Sequence, residues 1–297
     1  MAVDYYCGVG EGYESMCILI TGATGFIGCR VVEYLASHSE HELIATSIES
    51  KEKAELLCPA LKNATYIQKN LNEKEDNYYT FFEKPDCVIH LSWEGLPNYN
   101  ELFHIERNLP VNFYFAKNMI QNGLADITIA GTCFEYGLQN GCLSEDMATA
   151  PATVYGLAKD SLRKFIELLH NKHQFSMKWI RFFYLYGQGQ GKRTLWGQLV
   201  EAAENNHKEF NMSLGEQLRD YISVNQAAEY VSKIALQNDI TGIINCCSGK
   251  PVSVRRFVEE FFEEHGVSVK LNYGYYPYPE FEPLAFWGDA GKLGMVV

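Results

Sequence analysis

The chain has 297 residues, 47% hydrophobic and 21% charged, with a net charge of −12. That length accommodates one large domain and a smaller lobe. The acid excess excludes a nucleic-acid-binding face, which needs clustered cations, and no run approaches the ~18 consecutive apolar residues of a membrane span. The amino end lacks a basic segment followed by an apolar one, so no secretory signal is expected. Nine cysteines occur with no CxxC pair among them, and Cys246-Cys247 is a poor chelate. They read as buried thiols in a reducing cytoplasm, with neither zinc nor a disulfide framework expected.

Residues 1–15 show no periodicity and read as an extension with little structural role. From Cys17 the apolar runs CILITG, HELIATS, ATYIQ, DCVIHLS, DITIAG and MKWIRFFYLYG alternate with helix-like segments near 27–38, 51–60, 108–122 and 156–172. Such alternation predicts a doubly wound α/β fold around a parallel sheet, the Rossmann arrangement. The first strand runs into Gly22, Thr24, Gly25, Phe26, Ile27 and Gly28. Small residues there permit a tight turn whose N–H groups reach a pyrophosphate at a helix start. The dinucleotide-binding domain is expected at 16–186, returning near 220–247.

The second strand ends at Ser47, where an NAD-specific protein would place an acid against the ribose 2′-OH. A hydroxyl can donate to a 2′-phosphate, and Arg30, Ser50, Lys51 and Lys53 are further donors, although Glu49 is close. The expected cofactor is therefore NADPH rather than NADH. Further on, DITIAG ends in Gly131-Thr132, and Tyr155 and Lys159 form a YxxxK at a helix start. A spacing of four puts both side chains on one helix face. There an ammonium would lower the phenol pKa, so that Tyr155 exchanges a proton with a carbinol oxygen while Thr132 holds that oxygen. After Gly187 the rhythm changes, and 187–219 with 248–297 reads as a substrate-binding lobe of helices near 194–206 and SVRRFVEEFFEEHG. The aromatic segment 273–288 reads as an ordered loop, either a lid or a ligand contact.

GATGFIG, DCVIHLS, GTCFEYG, YGLAK, RFFYLYG, LRDYISV and DAGK, in this order over residues 16–293, resemble the landmarks of the extended short-chain dehydrogenase/reductases. These include the NAD-dependent epimerase/dehydratases of nucleotide sugars. The resemblance implies a triad of Thr132, Tyr155 and Lys159, with Leu91 and Asn108 near the cofactor. It also implies that Arg219 grips the substrate pyrophosphate and that Tyr184 stands in for a substrate-side asparagine. His90 is read as a packed strand residue or an edge contact to the cofactor.

Departures narrow the chemistry. The acid pair of the 4,6-dehydratases is replaced by Cys133 and Phe134, and the cysteine of the GDP-fucose epimerase-reductases by Phe134. The stretch GTCFEYG to YGLAK is most similar to 4-ketoreductases of CDP- or dTDP-linked 6-deoxyhexoses. The expected activity is NADPH-dependent reduction of the C4 ketone of a nucleotide-linked 4-keto-6-deoxyhexose. The alternatives are an NAD-dependent 4-epimerase and, from another class, a non-catalytic dinucleotide-sensing or scaffold protein. A homodimer is expected through helices 108–122 and 156–172, with apolar faces at Phe113, Ala116, Met119, Ile120, Leu162, Phe165, Ile166 and Leu169.

Overall fold

The computed structural model describes residues 15–297, so the expected extension at 1–15 lies, but for Ser15, outside the described residues. Strands β1 (Cys17–Thr21), β2 (Glu42–Ser47), β3 (Thr65–Gln68) and β4 (Cys87–His90) alternate with helices α1 (Phe26–His38), α2 (Lys51–Leu57) and α3 (Tyr78–Phe81). There follow α4 (Leu109–Gln121), β5 (Asp126–Thr132), the short β6 (Gly141–Leu143), α5 (Val154–His170) and β7 (Ser176–Phe182). The rest of the chain holds β8 (Tyr184–Tyr186), α6 (Leu195–Glu204), β9 (Glu209–Asn211), β10 (Leu218–Ser223) and α7 (Val224–Leu236). It closes with β11 (Gly242–Cys246), β12 (Pro251–Ser253), α8 (Val254–Glu264), β13 (Lys270–Asn272) and β14 (Phe286–Gly288).

Seven strands form one parallel sheet in the order β11-β7-β5-β4-β1-β2-β3. Its strands can be continuously apolar because helices cover both faces. Ile18 and Ile20 of β1 join Val31, Val32, Val231 and Ile234 of α1 and α7, while Leu19 faces Phe115, Met119, Leu162 and Ile166 of α4 and α5. Strand order reverses between β1 and β4, which opens a crevice at their carboxyl ends. The helix starts are fixed by hydroxyl caps: Thr153 accepts from the Gly156 N–H, Thr194 from Gly197 and Ser223 from Gln226. By contrast α1 begins at Gly25 with no side-chain cap, so its first N–H groups remain available at that crevice.

Beyond the sheet edge, β12-β10-β8, β13-β9 and β14-β6 make three small sheets. A separate core of Leu199, Phe210, Val258, Phe261 and Phe262 joins α6 and α8. On the helices expected to meet a partner, Ala116, Met119, Ile120, Leu162 and Ile166 are buried in the chain's own core. Leu157, Phe165 and Leu168 remain as the exposed apolar groups of α5.

Candidate active site

The phosphate turn is set by backbone geometry. Gly22 has φ +67°, and a Cβ there would sit 3.0 Å from the backbone of Ser92. A Cβ on Gly28 would lie 2.1 Å from the Gly22 carbonyl, so only glycine lets helix and turn close together. Thr24, Gly25, Ser47, Leu91 and Asn108 line a cavity of about 160 Å³ over the β1–β2 side. A larger one of about 690 Å³ runs from Gly22, Phe26, Ile27 and Gly28 to Thr132, Tyr155 and Lys159. Gly22, Gly25 and Leu91 border both, so the two form one crevice over the uncapped end of α1.

Leu91 and Ser92 are positioned by Thr21, whose hydroxyl accepts from both N–H groups and contacts His90 Nδ1 at 2.7 Å. His90 is fully enclosed, bonded through Nε2 to Asn112 Oδ1, and burial pushes it down to about 3. It is a neutral, packed strand residue. Asn108 donates to the Glu94 carbonyl at 2.9 Å and so fixes the loop after β4.

The charge expected to favour NADPH is engaged within the protein. Arg30 pairs with Glu33 at 2.5 Å, Lys53 with Glu49 at 2.6 Å, and Lys51 reaches Glu55 at 4.0 Å. The Ser47 hydroxyl meets the Tyr66 hydroxyl at 2.7 Å and accepts from the Glu49 N–H. One expectation from sequence therefore loses its basis: pairing at i,i+3 and i,i+4 within the segments that carry these cations matches each of them with a carboxylate.

At the other end, Thr132, Tyr155 and Lys159 converge on one wall. Thr132 ends β5 and caps the turn Cys133–Tyr136, accepting from the Phe134 N–H while Glu135 Oε1 accepts from its own N–H at 2.9 Å. Lys159 lies one helical turn beyond Tyr155. It donates to the Ala130 carbonyl at 2.9 Å and sits 3.9 Å above the Trp93 ring. Burial pushes Lys159 down to about 7, against the opposing pull of Glu135. Tyr155 is pushed up, first by burial, and the Thr132 hydroxyl counters this. The expectation that Lys159 lowers the phenol is thus corrected. In this dry pocket desolvation sets the phenol, and the ammonium's hydrogen bond goes to the Ala130 carbonyl.

Arg219 also differs from expectation. It is buried behind the crevice, with Nη1 donating to the Leu218 and Leu284 carbonyls and Nη2 paired with Glu282 at 2.7 Å. Its guanidinium lies over the rings of Tyr184 and Phe286. A substrate pyrophosphate would reach it only by displacing Glu282. The Tyr184 hydroxyl is buried without a hydrogen-bond partner, within an aromatic group that includes Phe134 and Tyr221.

Several site residues carried no motif. Trp93 and Tyr99 follow β4 in an irregular loop and flank Tyr155 with ring centroids 6.0 and 5.8 Å away. Phe281 of the aromatic segment reaches Tyr99 and Phe134, so that segment does border the crevice. Glu135, inside GTCFEYG, points down into the core and accepts from Trp179 Nε1 and Arg181 Nε at 2.9 and 2.8 Å. The motif gave its position and only the fold gave its direction.

This arrangement has counterparts among known proteins. Residues 18–247 match the model of the NAD dependent epimerase/dehydratase family. The chain belongs to that family. Among its relatives is the dTDP-6-deoxy-L-talose 4-dehydrogenase (NAD(+)) of Aggregatibacter actinomycetemcomitans, 28% identical over 275 residues, covering 92% of this chain and 99% of the relative. The dTDP-4-dehydro-6-deoxyglucose reductase of Escherichia coli is 24% identical over 258 residues, covering 82% and 79%. The UDP-glucuronic acid 4-epimerase of Bacillus cereus, solved with UDP-glucuronic acid and NAD, superposes with a TM-score of 0.81 at 21% identity over 95% of this chain and 92% of that one. As a family member the chain is an enzyme of the NAD-dependent nucleotide-sugar type, and no helix among the described residues is long and apolar enough to cross a membrane.

Proposed function

We propose that the chain transfers hydride at C4 of a nucleotide-linked 6-deoxyhexose, interconverting the 4-ketone and the 4-alcohol. The observation that carries this reading is the composition of the wall around Tyr155. Thr132, Tyr155 and Tyr99 bring hydroxyls to it, Lys159 a cation, and Trp93, Cys133 and Phe134 the remaining side chains. Burial pushes the Cys133 thiol up, and a phenyl ring carries no exchangeable proton, so neither position supports elimination. The aromatic face given by Trp93, Tyr99 and Phe134 suits a C6 methyl group better than a hydroxymethyl. The same C4 chemistry stands in the printed name of the talose relative.

The crevice fits a dinucleotide on its own terms. The glycines let the turn close tightly on α1 and on the Ser92 backbone, α1 presents free N–H groups, and the Thr46 hydroxyl is buried beside the smaller cavity without a partner. Gly22, Thr24, Gly25 and Gly28 would hold the pyrophosphate, Ser47 and Leu91 the adenosine half, and Lys159 the ribose near the nicotinamide, which supplies or accepts the hydride when bound. Tyr155, kept protonated by burial, gives its proton to the ketone oxygen. Thr132 holds that oxygen, and protonated Lys159 stabilises the phenolate left behind. The expected NADPH gives way here to NAD(H), because Arg30, Lys51 and Lys53 are matched by carboxylates.

The exposed α5 residues Leu157, Phe165 and Leu168 offer a face for a second copy. The test of the reaction follows nicotinamide absorbance with CDP-, dTDP-, GDP- and UDP-linked 4-keto-6-deoxyhexoses in turn, offering NADH and NADPH separately. One NADH consumed per ketone lost is the expected result. Interconversion of a UDP-hexose with no net cofactor change would replace this reading with a 4-epimerase, and a several-fold preference for NADPH would overturn the cofactor assignment.

A further inference from the structure

A second group of reactive side chains lies away from the crevice. Cys29 and Glu33 stand one turn apart on α1, and Cys58 follows α2 at the head of the turn Pro59–Asn63. Each offers a ligand atom, and the three atoms lie within 4.8 Å of one another. Cys29 Sγ is 3.6 Å from Glu33 Oε1, while Arg30 holds the other carboxylate oxygen at 2.5 Å. Cys58 is fully buried and Cys29 almost so, whereas the Glu33 side chain is 34% exposed. The group is thus walled by protein on its sulfur side and open to water through the carboxylate.

We infer that Cys29, Glu33 and Cys58 form a binding site for a thiophilic divalent cation such as zinc. Zinc takes sulfur ligands at about 2.3 Å and carboxylate oxygens at about 2.0–2.2 Å, in a tetrahedron whose ligand atoms stand roughly 3.5–4 Å apart. The three atoms here need little movement to meet that spacing, and the open side leaves a fourth position for water. Two thiolates and one carboxylate are neutralised by a divalent cation together with Arg30. Arg30 also orients the carboxylate from outside, as the partners of metal-binding side chains do. The bound ion would tie α1 to the segment after α2, clamping the helix that carries the phosphate turn. Sequence spacing hides the site, because Cys58 is far along the chain from the other two.

Cadmium titration of the reduced full-length chain tests this. One equivalent should bind with thiolate-to-metal absorption in the near ultraviolet. The band should disappear in Cys29→Ser and in Cys58→Ser, persist in Cys142→Ser, and need at least about tenfold more metal in Glu33→Gln. Zinc should also raise the Tm of the parent and slow iodoacetamide labelling at Cys29 and Cys58, read by peptide mass, which keeps the test decisive if a serine variant does not fold. No binding by the parent, a band that survives Cys58→Ser, labelling unchanged by zinc, or a Cys29–Cys58 disulfide that persists under the reducing conditions of the titration would each overturn the site.

Discussion

The buried carboxylate of Glu135 is met by three donors, although Arg181 Nη1 and Arg163 Nε beside it have no partner. The buried ammonium of Lys159, which reaches the same strand end from α5, is met by one acceptor. The Glu135 carboxylate accepts from the Thr132 N–H, the Trp179 indole and the Arg181 guanidinium, with Arg163 3.6 Å away. Burial pushes Glu135 up and the Arg181 charge pulls it back. Lys159 is as dry, yet the partners it meets are one carbonyl and one aromatic face. Thr132 belongs to both clusters, its backbone to the first and its hydroxyl to the second. The contrast separates two uses of buried polarity. The bonds to the Glu135 carboxylate hold the β5 end in place, and the sparse bonding at Lys159 leaves donors for a cofactor and a substrate.

The largest effect should come from breaking the cluster at Glu135. Glu135→Ala leaves Arg181 buried without its counter-charge and should cost about 3–5 kcal/mol, read by urea denaturation. A loss below about 1 kcal/mol would show that water enters and the pair is not closed. On the other side of Thr132, Tyr155→Phe should fold normally, still bind cofactor and lose about 10²–10⁴ in turnover. A variant with near-parental turnover would remove the phenol from the chemistry.

Lys159→Met sharpens the comparison, because it should separate stability from activity. Turnover should fall by at least about tenfold, the scale of one charged hydrogen bond, while the Tm rises. Lys159 has its folded pKa depressed from 10.5 to about 7, so the unfolded chain binds more protons between those values and stability climbs with pH across that window. The advantage of the methionine variant should therefore be full below pH 7 and gone by about pH 10.5. A variant less stable than the parent at pH 6 would mean that Lys159 is better partnered than its surroundings show. The smallest effect belongs to Arg219 and Glu282, a completed pair placed where a substrate would need it open. With Glu282→Gln, which removes the counter-charge that closes the Arg219 fork, the KM for the nucleotide sugar should fall by at least about fivefold, with kcat unchanged. A higher KM would make Glu282 a substrate contact.

Sequence alone determined the parallel sheet, the glycine turn and the residues of the Thr132–Tyr155–Lys159 wall, because each is written in local periodicity or in a fixed short spacing. It left His90 as a packed strand residue or an edge contact to the cofactor. Tertiary structure decided what those spacings leave open. Phenol and ammonium sit on one helix face, but how far burial shifts each depends on Trp93 and Tyr99, which come from an unpatterned loop. Arg219 stands where its motif puts it, yet a carboxylate from the far end of the chain closes its fork. The cations near Ser47 look free in the sequence and are paired in space. Cys29 and Glu33 share a helix turn, but Cys58 has no spacing in common with them until the fold brings the end of α2 against α1. Pairing and desolvation are properties of neighbours in space: some of those neighbours lie a helical turn away, as Glu33 does from Arg30, and others dozens of residues away, as Glu282 does from Arg219.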